Sequence, residues 1–169
     1  SEMIPHKEEY YCAVKSTREG TDILVANCGG IEVESNWDRV KRLAVEVGQQ
    51  PSEAALEKLA KDAGFTVSLL KKMADFAGKK FTCFDSEDAQ YLEVNPVVLR
   101  EHEHELIALD AVTLLDGDAK FRHPDWNFAF AAEFGSAYSK HEAEVMAVYS
   151  KIKGSVKFIE IPGGDTAML

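Results

Sequence analysis

Two runs rich in aliphatic and β-branched residues, AQYLEVNPVVL (89–99) and ELIALDAVTLL (105–115), flank the polar stretch REHEH. Alternating apolar and polar residues on either side of a short polar break predict an antiparallel hairpin turning at His102 and Glu103. In the first strand Glu93 and Asn95 then point to one face, and Leu92 and Val94 point to the other. An unpaired buried carboxylate costs several kcal/mol or more, so Glu93 needs a partner side chain, solvent in a cleft, or a metal ion. With the turn so centred, Asn95 lies opposite Asp110 and Glu93 opposite Val112. Opposed side chains share a face with Cβ atoms about 4.5–5.5 Å apart. Glu93, Asn95 and Asp110 are therefore expected to meet at one polar spot, with Leu92, Val94, Ile107 and Leu109 on the buried face. Two carboxylates and a carboxamide oxygen are hard ligands that suit magnesium, which keeps several waters and takes few protein oxygens. The bland reading, carboxylates satisfied by a backbone amide or a lysine, stays open on spacing alone.

The charge balance narrows the partners. The chain of 169 residues has a net charge of -10, which argues against a nucleic-acid partner. It also leaves little to hold a polyphosphate unless a cation or another segment supplies positive charge. Cys12, Cys28 and Cys83 are scattered, which fits reduced thiols in a cytoplasmic protein. No run approaches the ~18 apolar residues of a membrane span, so no membrane partner is expected.

The rest of the chain reads as strands at 9–17 and 21–27, a break at Cys28-Gly29-Gly30, and a helix over 37–47 capped by Asn36. Helices follow over 51–64 and 67–80, the latter with Leu69, Leu70, Met73, Ala74 and Ala77 at helical spacing. Beyond the hairpin come a loop, a helix near 136–151 and a last strand, SVKFIEI. The order implies an α+β fold, a mostly antiparallel sheet with helices packed on one face. His102 and His104 sit at strand spacing without a third metal ligand nearby and read as a solvated hairpin tip. DGDAK (116–120) places a lysine where a calcium loop needs oxygen, and reads as a turn. WNFAFAAEF (126–134) either docks another domain or packs locally.

YLEVNP followed by ELIALDA resembles the second half of the ATP-grasp module of the ATP-dependent acid–CoA ligases, a family that includes the succinyl-CoA synthetase β subunit and ATP-citrate lyase. EYYCAVKSTREG is similar to the strand opening that half-module. NCGGIEVESNWDRVK resembles the ATP-citrate lyase branch more closely. SVKFIEIPGGDTAML resembles the strand that leads into the following CoA-ligase-like domain, and its apolar ending reads as a piece of a longer protein. The resemblance implies an ATP-grasp carboxyl-terminal subdomain over 1–125, with a connecting helix and the truncated start of the next domain over 126–169. It implies magnesium and ATP as cofactors, Asn95 and Asp110 as metal ligands, and Glu93 beside them orienting waters or the ion. Gly29 and Gly30 would let backbone approach a ligand or a neighbouring loop, or form a plain strand-end turn. The implied reaction turns citrate and CoA into acetyl-CoA and oxaloacetate through a phosphohistidine and citryl phosphate. CoA, citrate and the histidine would be bound or supplied outside this chain, by other domains or a partner subunit of an oligomeric enzyme. The alternatives are a succinate–CoA ligase β-subunit piece and a non-catalytic assembly module of the same fold.

Overall fold

The computed structural model describes residues 4–100, 104–128, 138–149 and 158–160. The chain divides into two compact units, Ser1–Asp125 and Trp126–Leu169.

The first unit is built on an antiparallel sheet. Strands β1 (Glu9–Ser16) and β2 (Gly20–Ala26) form a hairpin, and β3 (Lys41–Glu46) pairs with β2. The long β4 (Ala89–Arg100) pairs with the other side of β1. Strands β5 (Glu105–Ala108) and β6 (Ala111–Leu115) both pair with β4, one along each half of its length. Helices α2 (Glu53–Asp62) and α3 (Val67–Ser86) follow a five-residue α1 (Ile31–Ser35) in the chain. α2 begins where Ser52 Oγ accepts from Ala55 N at 3.2 Å and ends near Gly64, at φ +83°. Both helices are amphipathic. Leu56, Leu59, Met73 and Phe76 pack onto Cys12, Val14, Ile23 and Val94 of the sheet. Burial of each such large side chain contributes about 1.5–3 kcal/mol. The α+β class with helices on one face matches the expectation from sequence. The helix expected over 67–80 runs on to Ser86.

Residues 37–47, expected as a helix, do something else. Trp37–Arg39 make one 3-10 turn and Lys41–Glu46 are the edge strand β3. Asn36 makes no side-chain cap; its Nδ2 donates instead to Glu32 O at 2.9 Å. Leu43 and Val45 alternate onto the helix-side core, so pairing with β2 overrides the helical spacing of the same apolar residues. Arg42 Nε donates to Asp22 Oδ1 at 2.7 Å across that pair, satisfying a buried carboxylate.

The hairpin register agrees with the sequence reading: Glu93 faces Val112, and Asn95 N donates to Asp110 O at 3.3 Å. The turn itself, at His102 and Glu103, lies outside the described residues. The face assignment beyond the turn needs correcting. Between Val94 and Val97, β4 advances three residues while β1 advances two, from Cys12 to Tyr10. The extra residue swaps the faces. Val97 and Leu106 join the helix-side core, whereas Ile107 lies across from Val98 and Leu109 is 39% exposed. The second run is also broken into β5 and β6 at Leu109-Asp110 rather than being one strand.

DGDAK lies in a 3-10 stretch, Gly117–Arg122, where Asp116 Oδ1 accepts from Asp118 N at 3.0 Å, a turn as expected. In the second unit, α4 spans Lys140–Tyr149, and Trp126 stacks beside Phe128 with ring centroids 5.8 Å apart. Of SVKFIEI, Phe158–Glu160 are in no strand and the rest lies outside the described residues, as does most of WNFAFAAEF.

Candidate functional site

The face of the sheet away from α2 and α3 is only partly covered. A small cluster of Tyr11, Ala13, Leu24, Ala26, Cys28 and Val33 packs there, with Tyr91 and Val40 against it. Trp37 meets Tyr11 edge-on at 5.8 Å and stays 57% exposed. Glu93 and Tyr91 stand beside this cluster because alternation along β4 puts Leu92 and Val94 on the opposite, helix-covered face.

Glu93 is flanked across the sheet by Ala13 on one side and Val112 on the other, neither of which can donate a hydrogen bond from its side chain. Its donors are two phenols. Tyr11 Oη donates to Glu93 Oε2 at 3.0 Å, and Tyr91 Oη donates to the same oxygen. Burial, with the carboxylate and the neighbouring phenol adding to it, pushes the Tyr11 hydroxyl far above the ordinary phenol range. Burial and Glu93 push Tyr91 the same way. Both phenols therefore remain donors at neutral pH.

Asn95 is held by a glycine. Gly30 N donates to Asn95 Oδ1 at 2.6 Å, and Asn95 Nδ2 donates back to Gly30 O at 3.4 Å. This paired contact fixes which end of the carboxamide carries the oxygen. Gly29 lies so close to β1 that a Cβ on it would stand 2.5 Å from Tyr10 O. Gly30 has φ +57°, and a Cβ there would meet Glu9 Oε2 at 2.2 Å. Both glycines thus bring the chain against β1 and Asn95. Asp110, in the break between β5 and β6, uses Oδ1 to accept from Ala111 N at 2.8 Å.

The donor set fits a hard cation. A carbonyl oxygen has two lone pairs, so Asn95 Oδ1 keeps one after Gly30 is served; Glu93 Oε1 and Asp110 Oδ2 are the carboxylate oxygens of the same hairpin not engaged by Tyr11, Tyr91 or Ala111. Among the described residues no three His, Cys, Asp or Glu side chains cluster to hold a metal. A cation here would have to draw on Asn95, water and ligand oxygens, as magnesium commonly does. A separate surface recess of about 510 Å³ is lined by residues such as Pro51, Leu56, Lys71 and Asp75, all on the helix layer and its approach.

Tyr11 and Tyr91 join Glu93 beyond what the hairpin spacing predicts. Tyr91 had a signal, since it is two residues before Glu93 on the same strand face. Tyr11 had none in local spacing, because it reaches Glu93 only through the β1–β4 pairing.

The six-stranded antiparallel sheet, covered by two helices on one face and carrying Glu93 on the other, belongs to an ATP-grasp fold. Residues 1–99 match the ATP-grasp domain family, and the chain belongs to that family. Its curated relatives are acid–CoA ligases and their kin. It is 31% identical over 158 residues to ATP-citrate synthase alpha chain protein 2 of Arabidopsis thaliana, covering 92% of this chain and 36% of the relative. It is 26% identical over 168 residues to the succinate–CoA ligase [ADP-forming] β subunit of Neorickettsia sennetsu, covering 96% of this chain and 40% of that one. In three dimensions it superposes on ATP citrate lyase from Methanothrix soehngenii, solved with citrate and coenzyme A. The TM-score is 0.76 at 24% identity, over 93% of this chain and 36% of that one. The chain thus spans 36–40% of the length of these relatives. No helix among the described residues is long and apolar enough to cross a membrane.

Proposed function

We propose that this chain is the nucleotide-side half-module of an ATP-citrate lyase or citryl-CoA synthetase subunit, working in the cytoplasm with the remaining domains or a partner subunit of an oligomeric enzyme. What supports the reading is the pairing of the hairpin, with Glu93 across from Val112 and Asn95 N on Asp110 O, together with the hold of Gly30 on the Asn95 carboxamide. In this reading Asn95 Oδ1 and Asp110 hold magnesium, and Glu93 orients it or its waters. Gly29 and Gly30 line the nucleotide side of the site. Asn95 and Asp110 would hold the ion, which would supply positive charge against the charge that develops in phosphoryl transfer. The protein's own part is positional: Gly30 locks the carboxamide, and the two tyrosines lock Glu93. Citrate, CoA and the phosphorylated histidine belong to parts of the enzyme outside this chain. The identity to plant ATP-citrate synthase alpha chains favours citrate as the acid. The match to succinate–CoA ligase β subunits keeps succinate as the second reading.

The test uses the full-length parent enzyme. Asn95→Ala and Asp110→Ala should each lower citrate- and CoA-dependent ADP release by roughly 100-fold or more, the loss expected when several kcal/mol of charge stabilisation is removed. Asp110→Ala should leave the melting temperature close to the parent's, and Asn95→Ala, which also removes the two hydrogen bonds to Gly30, should lower it by roughly a few degrees without unfolding the enzyme. Unfolded variants, or variants that keep full activity, would place these residues in the scaffold. Succinate turning over in place of citrate selects the second reading.

A further inference from the structure

We infer that Tyr11 and Tyr91 are specificity-determining residues that hold Glu93 to a single available oxygen and so bias the site toward magnesium over calcium. This rests on the cation reading of the hairpin. A carboxylate offers about two lone-pair positions on each oxygen. Both phenols donate to Oε2 of Glu93, Tyr11 at 3.0 Å and Tyr91 closer still, so that oxygen is saturated. Ala13 and Val112, its direct neighbours across the sheet, supply no competing side-chain donor that could turn the carboxylate over. Tyr11 is only 1% exposed, so its hydroxyl is a fixed point of the scaffold. Oε1 is the oxygen these two donors leave untouched, and on the cation reading it is the one that would serve the ion or its water.

That restriction matters because the two ions ask for different things. Calcium takes six to eight oxygens in flexible geometry and readily accepts both oxygens of one carboxylate. Magnesium is smaller, holds near-octahedral geometry and keeps several waters. A glutamate with one oxygen tied down can serve magnesium or its water shell but cannot chelate calcium through both oxygens. Removing the phenol hydroxyls returns the second oxygen. A Tyr→Phe change keeps the ring and its packing, so the effect is confined to the hydrogen bond.

The experiment titrates the full-length enzyme, loaded with a non-hydrolysable ATP analogue, calorimetrically with MgCl2 and separately with CaCl2. Parent, Tyr11→Phe, Tyr91→Phe, the double variant and Asn95→Ala are compared. In the double variant the calcium Kd should fall about tenfold while the magnesium Kd moves less than about threefold. Tyr91→Phe alone, at a half-buried ring, should move the ratio in the same direction and serves if Tyr11→Phe does not fold. If Asn95→Ala weakens both ions but the double variant keeps the parent's calcium-to-magnesium ratio, the tyrosine inference falls and the cation site stands. If Asn95→Ala leaves both affinities unchanged, or the parent binds neither ion, the cation site falls and takes this inference with it.

Discussion

At the residue scale, Gly29 and Gly30 look alike in sequence and differ physically. A Cβ on Gly29 would press on the carbonyl, carbon and nitrogen of Tyr10, all within 2.8 Å, and backbone in the middle of a sheet cannot yield. A Cβ on Gly30 would meet the tip of the Glu9 side chain, which can swing away, but φ +57° adds about 1–2 kcal/mol of strain for a residue with a Cβ. Gly29→Ala should therefore cost about 2–3 kcal/mol by overpacking, and Gly30→Ala about half that. Urea midpoints of the two variants check the order; a larger loss at Gly30 would show that Glu9 is pinned. The pair was recognisable in the sequence as a place where backbone needed room, because glycines after a strand mark close approach. What they approach was not recognisable. Asn95 is 65 residues from Gly30, and Glu93 is 82 residues from Tyr11. Such contacts exist only once β1 has paired with both β2 and β4.

At the scale of elements, the sequence carried the hairpin and its register well, because a two-residue period and a polar turn specify both. It did not carry the extra residue in β4 near Pro96, whose only effect is to change which later side chains face the helices. Nor did it separate β3 from a helix, since Val40, Leu43, Ala44 and Val47 satisfy a helical period as well as Leu43 and Val45 satisfy a strand. The neighbouring β2 edge made the choice. Another element depends on charge. Asp88, at φ +46° between α3 and β4, accepts from Arg122 Nε at 3.0 Å and Nη2 at 2.5 Å, and pairs with His123 Nε2 at 2.7 Å. These contacts pin the 3-10 stretch to the start of β4. The Arg122 hydrogen bond first, and His123 second, hold the Asp88 carboxyl below its usual range. The unfolded chain therefore binds the proton more readily than the native one, and the clip stabilises the fold above about pH 4, the unfolded carboxyl range. Its contribution is lost as pH falls through the lower native value. Asp88→Asn, which tolerates the same left-handed backbone, should lower the urea midpoint at pH 6, and the difference from the parent should close as pH drops toward about 2. A gap that stays constant with pH would mean the carboxylate charge is not what holds the clip.

At the scale of the whole molecule, charge sets a limit on what this chain does by itself. Its net charge is -10, and a nucleoside triphosphate is also a polyanion. Two of the arginines near the site-bearing face are already engaged. Arg39 binds Glu32 at 2.8 Å and Asn27 at 2.8 Å, and Arg42 binds Asp22. On the face that carries Glu93, β1 contributes Lys15, which lies across from Tyr91. The same face ends at β6 with Val112 and Leu114, 55% and 56% exposed, which a phosphate chain gains nothing from touching. A cation at the hairpin would offset part of the repulsion, and on the proposed reading the remaining phosphate donors come from parts of the enzyme outside this chain. This chain covers 36% of the length of the plant ATP-citrate synthase alpha chains it matches. The isolated chain should therefore release no ADP above background from magnesium-ATP, with or without citrate and CoA, in a coupled assay in which the full-length parent turns over. Weak magnesium-dependent binding of nucleotide is compatible with that outcome. Parent-like turnover by the chain alone would mean that its own side chains neutralise the phosphates, and the division of labour inferred from its charge would be wrong.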